Sequence, residues 1–197
     1  MKIIELIIDE SLDNPGIDAI SLVDEPAIES DFVALKQQHR MEFKRTDEQR
    51  LLVGAALIPD KMIYRHDADR GEYHIYFSKK TVKQAMQLYM SRGYNRSFTQ
   101  DHESKVEGVA VVESWIVEDT EMDKSKLYGF DVPKGTWMVA AKVYNDKIWS
   151  EFVKTGEVRG FSIEGYFSNR HQLKAIENAS QLSMLDEIEE AIKNHTK

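Results

Sequence analysis

Residues 51–58 read Leu51-Leu52-Val53-Gly54-Ala55-Ala56-Leu57-Ile58, with no polar side chain among them. A short run of this kind is what a strand buried on both faces looks like. Whatever fold the chain adopts must cover that strand twice. Strand candidates are not scarce. Residues 2–9 are rich in Ile, and 17–23 follow a turn at Asp13-Asn14-Pro15-Gly16. Residues 31–35 make a third, short candidate. Residues 62–65 and 73–77 read as a hairpin around a turn at 67–71. The Val-rich stretch 106–117, then 136–144 and 158–167, complete the set. Ser78 caps a helix of about 15 residues, with Val82, Ala85, Met86 and Tyr89 on one stripe and Gly93 as its stop. Asn145 caps a second helix over 146–154, ended by Gly156. Residues 180–193 read as an amphipathic helix through Leu182, Leu185, Ile188 and Ile192. Few connections have the regular spacing of a doubly wound parallel sheet. The predicted class is α+β, a mostly antiparallel distorted β-barrel or curled sheet with helices around it.

Composition narrows the function. The chain has 197 residues, a net charge of −8 and no cysteine. It therefore has no disulfide, thiol nucleophile or cysteine-ligated zinc site. No wide basic face exists to displace counterions from nucleic acid. No stretch approaches the roughly 18 apolar residues of a membrane span, and no signal peptide is visible. A cytoplasmic setting is expected. The six histidines show no i, i+4 pair that would hold a metal on a helix, so neither metal nor cofactor is expected. Trp115, Trp137 and Trp149 sit in apolar segments without basic neighbours and read as core rather than as a base-stacking platform.

Two segments carry chemistry. One is Phe98-Thr99-Gln100-Asp101-His102; the other is Gly160-Phe161-Ser162-Ile163-Glu164-Gly165. On a strand, Ser162 and Glu164 share one face while Phe161 and Ile163 point to the other. A serine hydroxyl needs a base to take its proton, and a histidine is suited to that at neutral pH. A carboxylate must then hold the imidazole tautomer. The segment is not the nucleophile elbow of α/β-hydrolases, which wants Gly two residues after the serine where Glu164 stands. Equally, Ser162 alone reads as a small half-buried strand residue, His102 as a polar loop end, and the flanking glycines as bends or bulges.

Taken in order, Gly16-Ile17-Asp18-Ala19-Ile20-Ser21-Leu22-Val23-Asp24-Glu25-Pro26, Val53-Gly54-Ala55-Ala56-Leu57-Ile58-Pro59-Asp60, Asp101-His102, Val112-Glu113-Ser114-Trp115, Gly135-Thr136-Trp137 and the Ser162 segment resemble the XkdF-like serine proteases of tailed phages, relatives of the prohead maturation proteases. The resemblance spans about residues 2–168. It implies a fold like herpesvirus assemblin, a Ser162 nucleophile and a His102 general base. It also implies action in the host cytoplasm, inside the assembling prohead, on scaffold and on delta regions of the major capsid protein. A homodimer is expected by analogy with assemblin. In many relatives a Glu precedes, by two residues, the Ser of a Glu-Val-Ser-Leu-Val strand near the C-terminal end. Here the similar strand is N-terminal, as in a circular permutation, and Ala19 occupies that place. The third member is then Asp18, one residue away, or Glu164, on the face of Ser162. Asp18 ranks first because some phage proteases order the triad Asp, His, Ser; Glu113 and Asp101 rank behind. Oxyanion donors are expected near residues 23–25. The expected division is a protease domain over 1–168 (permuted strands 1–36, linker or loop 37–49, barrel core 50–168) and a helical segment over 169–197. The rival reading is a non-catalytic capsid-assembly protein of the same fold.

Overall fold

The strand expected over 51–58 is covered on both faces: Leu52, Val53, Ala55, Ala56 and Leu57 are each at most 1% exposed. The computed structural model describes residues 2–24, 33–35, 49–68 and 71–170. In chain order its elements are β1 (Lys2–Ile7), β2 (Gly16–Val23), β3 (Val33–Leu35), β4 (Leu51–Leu57), β5 (Ile63–Asp67), β6 (Gly71–Phe77), α1 (Lys79–Ser91), β7 (Phe98–Gln100), β8 (Ser104–Val106), β9 (Val109–Ile116), α2 (Lys124–Leu127), β10 (Trp137–Val143), β11 (Gly160–Tyr166) and β12 (Ser168–Asn169). The linker expected over 37–49, apart from Gln49, and the amphipathic helix expected over 180–193 lie outside the described residues.

The class is α+β and mostly antiparallel, but the expected barrel is corrected. Among the described residues the strands form three four-stranded sheets, ordered β12-β1-β6-β5, β3-β4-β10-β9 and β11-β2-β7-β8, and none closes on itself. Two pairings are parallel, β1 with β6 and β2 with β7. Each joins strands that are distant in sequence, so the N-terminal strands are built into two different sheets. The long strand expected over 106–117 is interrupted. Gly108 adopts φ +76° and its carbonyl accepts from Tyr144 N and Asn145 N. A Cβ there would meet Asn145 Cβ at 3.0 Å. The chain turns at this point, and β8 and β9 go to separate sheets.

Local signals set the helices. Ser78 Oγ accepts from Thr81 N, and Gly93 stops α1 with φ +75°. Val82, Ala85 and Tyr89 are buried from the expected stripe. The second helix differs from expectation. Asn145 Oδ1 does cap it, accepting from Lys147 N and Ile148 N, but Ile148–Val153 is π-helical, with Lys154 N donating to Trp149 O. The wider turn leaves Ile148, Trp149 and Val153 all buried. Trp137 and Trp149 are core residues, as expected, and Trp115 is half-buried against the core.

Tyr89 lies at the centre of this core, fully buried, its ring edge-on to Trp137 at 5.4 Å. Its hydroxyl has no hydrogen-bond partner among the described residues, and burial pushes its pKa up. A buried, unpaired hydroxyl costs about 1–3 kcal/mol. Tyr89→Phe should therefore leave the unfolding free energy unchanged or raise it, as read by the midpoint of chemical denaturation. A lower midpoint would show that the hydroxyl is bonded.

The connection between β9 and β10 is organised by Asp123. Its Oδ1 accepts from Trp115 Nε1 at 3.1 Å and from Ser125 N at 2.8 Å. Burial pushes the carboxyl up, but bonds from Ser125 and Trp115 outweigh it and hold the pKa below the ordinary 3.8. A carboxylate lowered on folding stabilises the fold at pH values above its unfolded pKa, and that contribution is lost as pH falls through the folded value. Trp115 fluorescence should therefore be constant from neutral pH to about 4 and change below it. Asp123→Asn should blunt that change.

Candidate active site

β11 is the edge strand of its sheet and runs antiparallel to β2. Ser162 is opposite Ser21, and Glu164 is opposite Ala19. β2 in turn runs parallel to β7, with Ser21 opposite Thr99. Residues opposite one another in a ladder share a face. Ser162, Ser21 and Thr99 thus form a row of hydroxyls across three strands, with Glu164 two residues along from Ser162.

β7 and β8 are joined by a tight turn. Glu103 N donates to Gln100 O at 3.0 Å, and Asp101 and His102 both take positive φ, +50° and +61°. Positive φ at both central positions with this bond is the type I′ pattern, here within a three-residue connection between Gln100 and Ser104. Positive φ is uncommon for any residue but glycine; histidine tolerates it better than most, yet it still costs energy unless the surroundings hold it. Here every turn amide is bonded. Asp101 N donates to Leu22 O at 3.1 Å, and His102 N donates to Ser21 Oγ at 3.0 Å.

So held, the imidazole meets a carboxylate. His102 Nδ1 lies 3.0 Å from Glu164 Oε1. Thr99 Oγ1 donates to the same Glu164 oxygen. Ala19, opposite Glu164, presents only a methyl group, so nothing from β2 blocks the carboxylate from Thr99 on the next strand. The side chains of His102 and Glu164 are 44% and 27% exposed, so solvent and substrate can reach the ring. With Nδ1 on Glu164, Nε2 is left to act as base. Ser162 Oγ takes part in no hydrogen bond among the described residues. A cavity of about 160 Å³ borders Ser162, Ile163 and Gly165, with Ala56, Leu57, Ile75 and Phe77 on its other walls.

The other expected acids are placed elsewhere. Between Glu164 and Gly165 the register shifts by one, and Asp18 is the residue of β2 left unpaired by that bulge. No hydrogen bond or ion pair joins Asp18 to His102 among the described residues. Asp101 occupies the turn beside His102, with its side chain exposed. Glu113 is on β9, in another sheet, and pairs with Lys124. Of the segment 23–25, Val23 O accepts from Arg159 N, and Asp24 pairs with Arg159 Nε at 2.7 Å; residue 25 lies outside the described residues. No group of three or more His, Asp or Glu side chains among the described residues is placed to hold a metal. No helix among them is long and apolar enough to cross a membrane.

Sequence reading missed Thr99 and Ser21. The one hydroxyl within the apolar run Ala19–Val23 marked Ser21 as unusual but gave it no role; Thr99 had no signal beyond lying three residues before His102.

No curated protein and no solved structure matches the chain. A family model described as "Putative phage serine protease XkdF" matches residues 38–170, about two thirds of the chain. The match takes in β4 through β12, and with them Thr99, His102, Ser162 and Glu164; β1, β2 and β3, which lie before it, each complete one of the three sheets. The chain belongs to the XkdF family of phage serine proteases.

Proposed function

We propose that the chain is a serine endopeptidase of phage capsid maturation, with Ser162 as nucleophile, His102 as general base and Glu164 as the acid that orients it. The observation that carries this reading is the bond between His102 Nδ1 and Glu164, on the strand face that also bears Ser162. His102 Nε2 takes the hydroxyl proton as Ser162 Oγ attacks the scissile carbonyl. The protonated ring, stabilised by Glu164, then gives that proton to the leaving amine, and the peptide bond breaks. Water, activated by the same nitrogen, hydrolyses the acyl-enzyme and restores the Ser162 hydroxyl. Thr99 steadies the carboxylate between turnovers.

The substrates are scaffold and the delta region of the major capsid protein, cut inside the prohead in the host cytoplasm. The pairing of N-terminal β2 with β11, near the other end of the described chain, is what a circular permutation of an assemblin-like fold would bring together. Purified protein incubated with the scaffold and capsid protein of its own phage should release defined fragments. Prior treatment with a fluorophosphonate should block that release. Intact substrates after prolonged incubation would favour a capsid-assembly protein that binds without cutting.

A further inference from the structure

We infer that Ser21 is a positioning residue, whose hydroxyl holds the His102 turn in the conformation that sets the imidazole against Glu164. This rests on the reading of His102 as general base. Ser21 is 0% exposed and sits between Ile20 and Leu22 in a strand whose other buried residues are apolar. A buried hydroxyl in such a place needs a partner. That partner is the His102 amide, donating to Ser21 Oγ at 3.0 Å.

The bond falls where the backbone most needs it. Asp101 and His102 are consecutive non-glycine residues with positive φ. The type I′ turn they form is ordinarily built with Asn or Asp followed by Gly. Position 101 conforms; position 102 does not, because the chemistry needs an imidazole there. The Asp101 and Glu103 amides are satisfied by backbone carbonyls of Leu22 and Gln100. Among the described residues the His102 amide has only the Ser21 side chain. Ser21 therefore supports, at position 102, a residue less suited to this conformation than glycine. Its place opposite both Ser162 and Thr99 ties the turn to the strand of the nucleophile. Ser21 touches neither substrate nor the reacting atoms, so its loss should act on kcat and leave KM unchanged.

Ser21→Ala should slow acylation of Ser162 by a fluorophosphonate by about 10- to 100-fold, the range expected when a reacting group is misplaced by about an ångström. Ser21→Thr keeps an oxygen at the same place and should recover most of the rate. Asp101→Asn, which favours the turn at its first position, should recover part of the rate in the Ser21→Ala background; a residue that merely filled the core would not respond to a change in the turn. Two NMR readouts are independent of catalysis. In the wild-type protein the His102 amide should exchange slowly although it lies in an exposed turn. The His102 Nδ1 proton should be visible and should broaden in Ser21→Ala. Fast exchange of the wild-type His102 amide would overturn the inference, as would a Ser21→Ala protein with unchanged kcat and an unchanged Nδ1 signal. If the wild-type protein does not react with the probe, the protease reading fails, and the two NMR readouts still decide the role of Ser21. Should Ser21→Ala not fold, the wild-type exchange rate and the Ser21→Thr rate decide it.

Discussion

Ser162→Ala is expected to lower peptide hydrolysis by about 10⁶-fold, the scale seen when a serine nucleophile is removed. Glu164→Gln is expected to lower kcat by about 10⁴-fold, since an amide holds the imidazole in the wrong tautomer and cannot stabilise its cation. Asp18→Asn should leave kcat nearly unchanged. The contrast follows from the fold. Glu164 Oε1 is 3.0 Å from His102 Nδ1, whereas Asp18 is the unpaired residue of a bulge with no bond to the ring among the described residues. Steady-state kinetics on a cleavable capsid-derived peptide would check all three. A large loss in Asp18→Asn with little loss in Glu164→Gln would transfer the acid to β2.

Gly165→Ala should be the most damaging single methyl in the described chain. A Cβ on Gly165 would lie 2.7 Å from Ile17 Cα and 2.8 Å from Gly16 C, and closer still to Gly16 O. All three are backbone atoms of β2, so no side chain can rotate away. Relief requires β11 to move off β2. Overpacking costs about 1–3 kcal/mol where side chains can adjust, so about 3 kcal/mol or more is expected here. For a chain of this size the melting temperature should fall by roughly 6–12 °C. Because Glu164 and Ser162 ride on the same strand, activity should fall even in the fraction that folds. A melting temperature within about 2 °C of wild type would mean that the two strands do not approach as closely as described.

Much of the local structure was legible in the residues. The apolar run of β4, the hairpin of β5 and β6, the Ser78 cap and the Gly93 stop all follow from signals within a few positions of one another. The arrangement of strands was not. Alternation tells which side chains share a face, but not which strand lies beside which. The parallel pairings of β1 with β6 and of β2 with β7 therefore had no signature, and a single barrel was expected in place of three sheets. Gly108 was a visible break, yet its valine-rich neighbours outweighed it. The candidate site divides the same way. Strand periodicity was enough to put Glu164 on the face of Ser162. Which of Glu164 and Asp18 lies beside His102 depended on the register of β2 against β11 and on the positive φ of Asp101 and His102, neither of which a residue pattern encodes. Ser21 and Thr99 acquire meaning only when three strands are laid side by side.

In the proposed mechanism the hydroxyl of Ser162 is activated by an imidazole that Glu164 holds. Its most direct test is to react the full chain with a fluorophosphonate and locate the adduct by peptide mass spectrometry. A single adduct on Ser162, absent when His102 is replaced by alanine and slowed in Glu164→Gln, is the expected result. No adduct, an adduct on another serine, or labelling of Ser162 at an unchanged rate without His102 would rule out this mechanism.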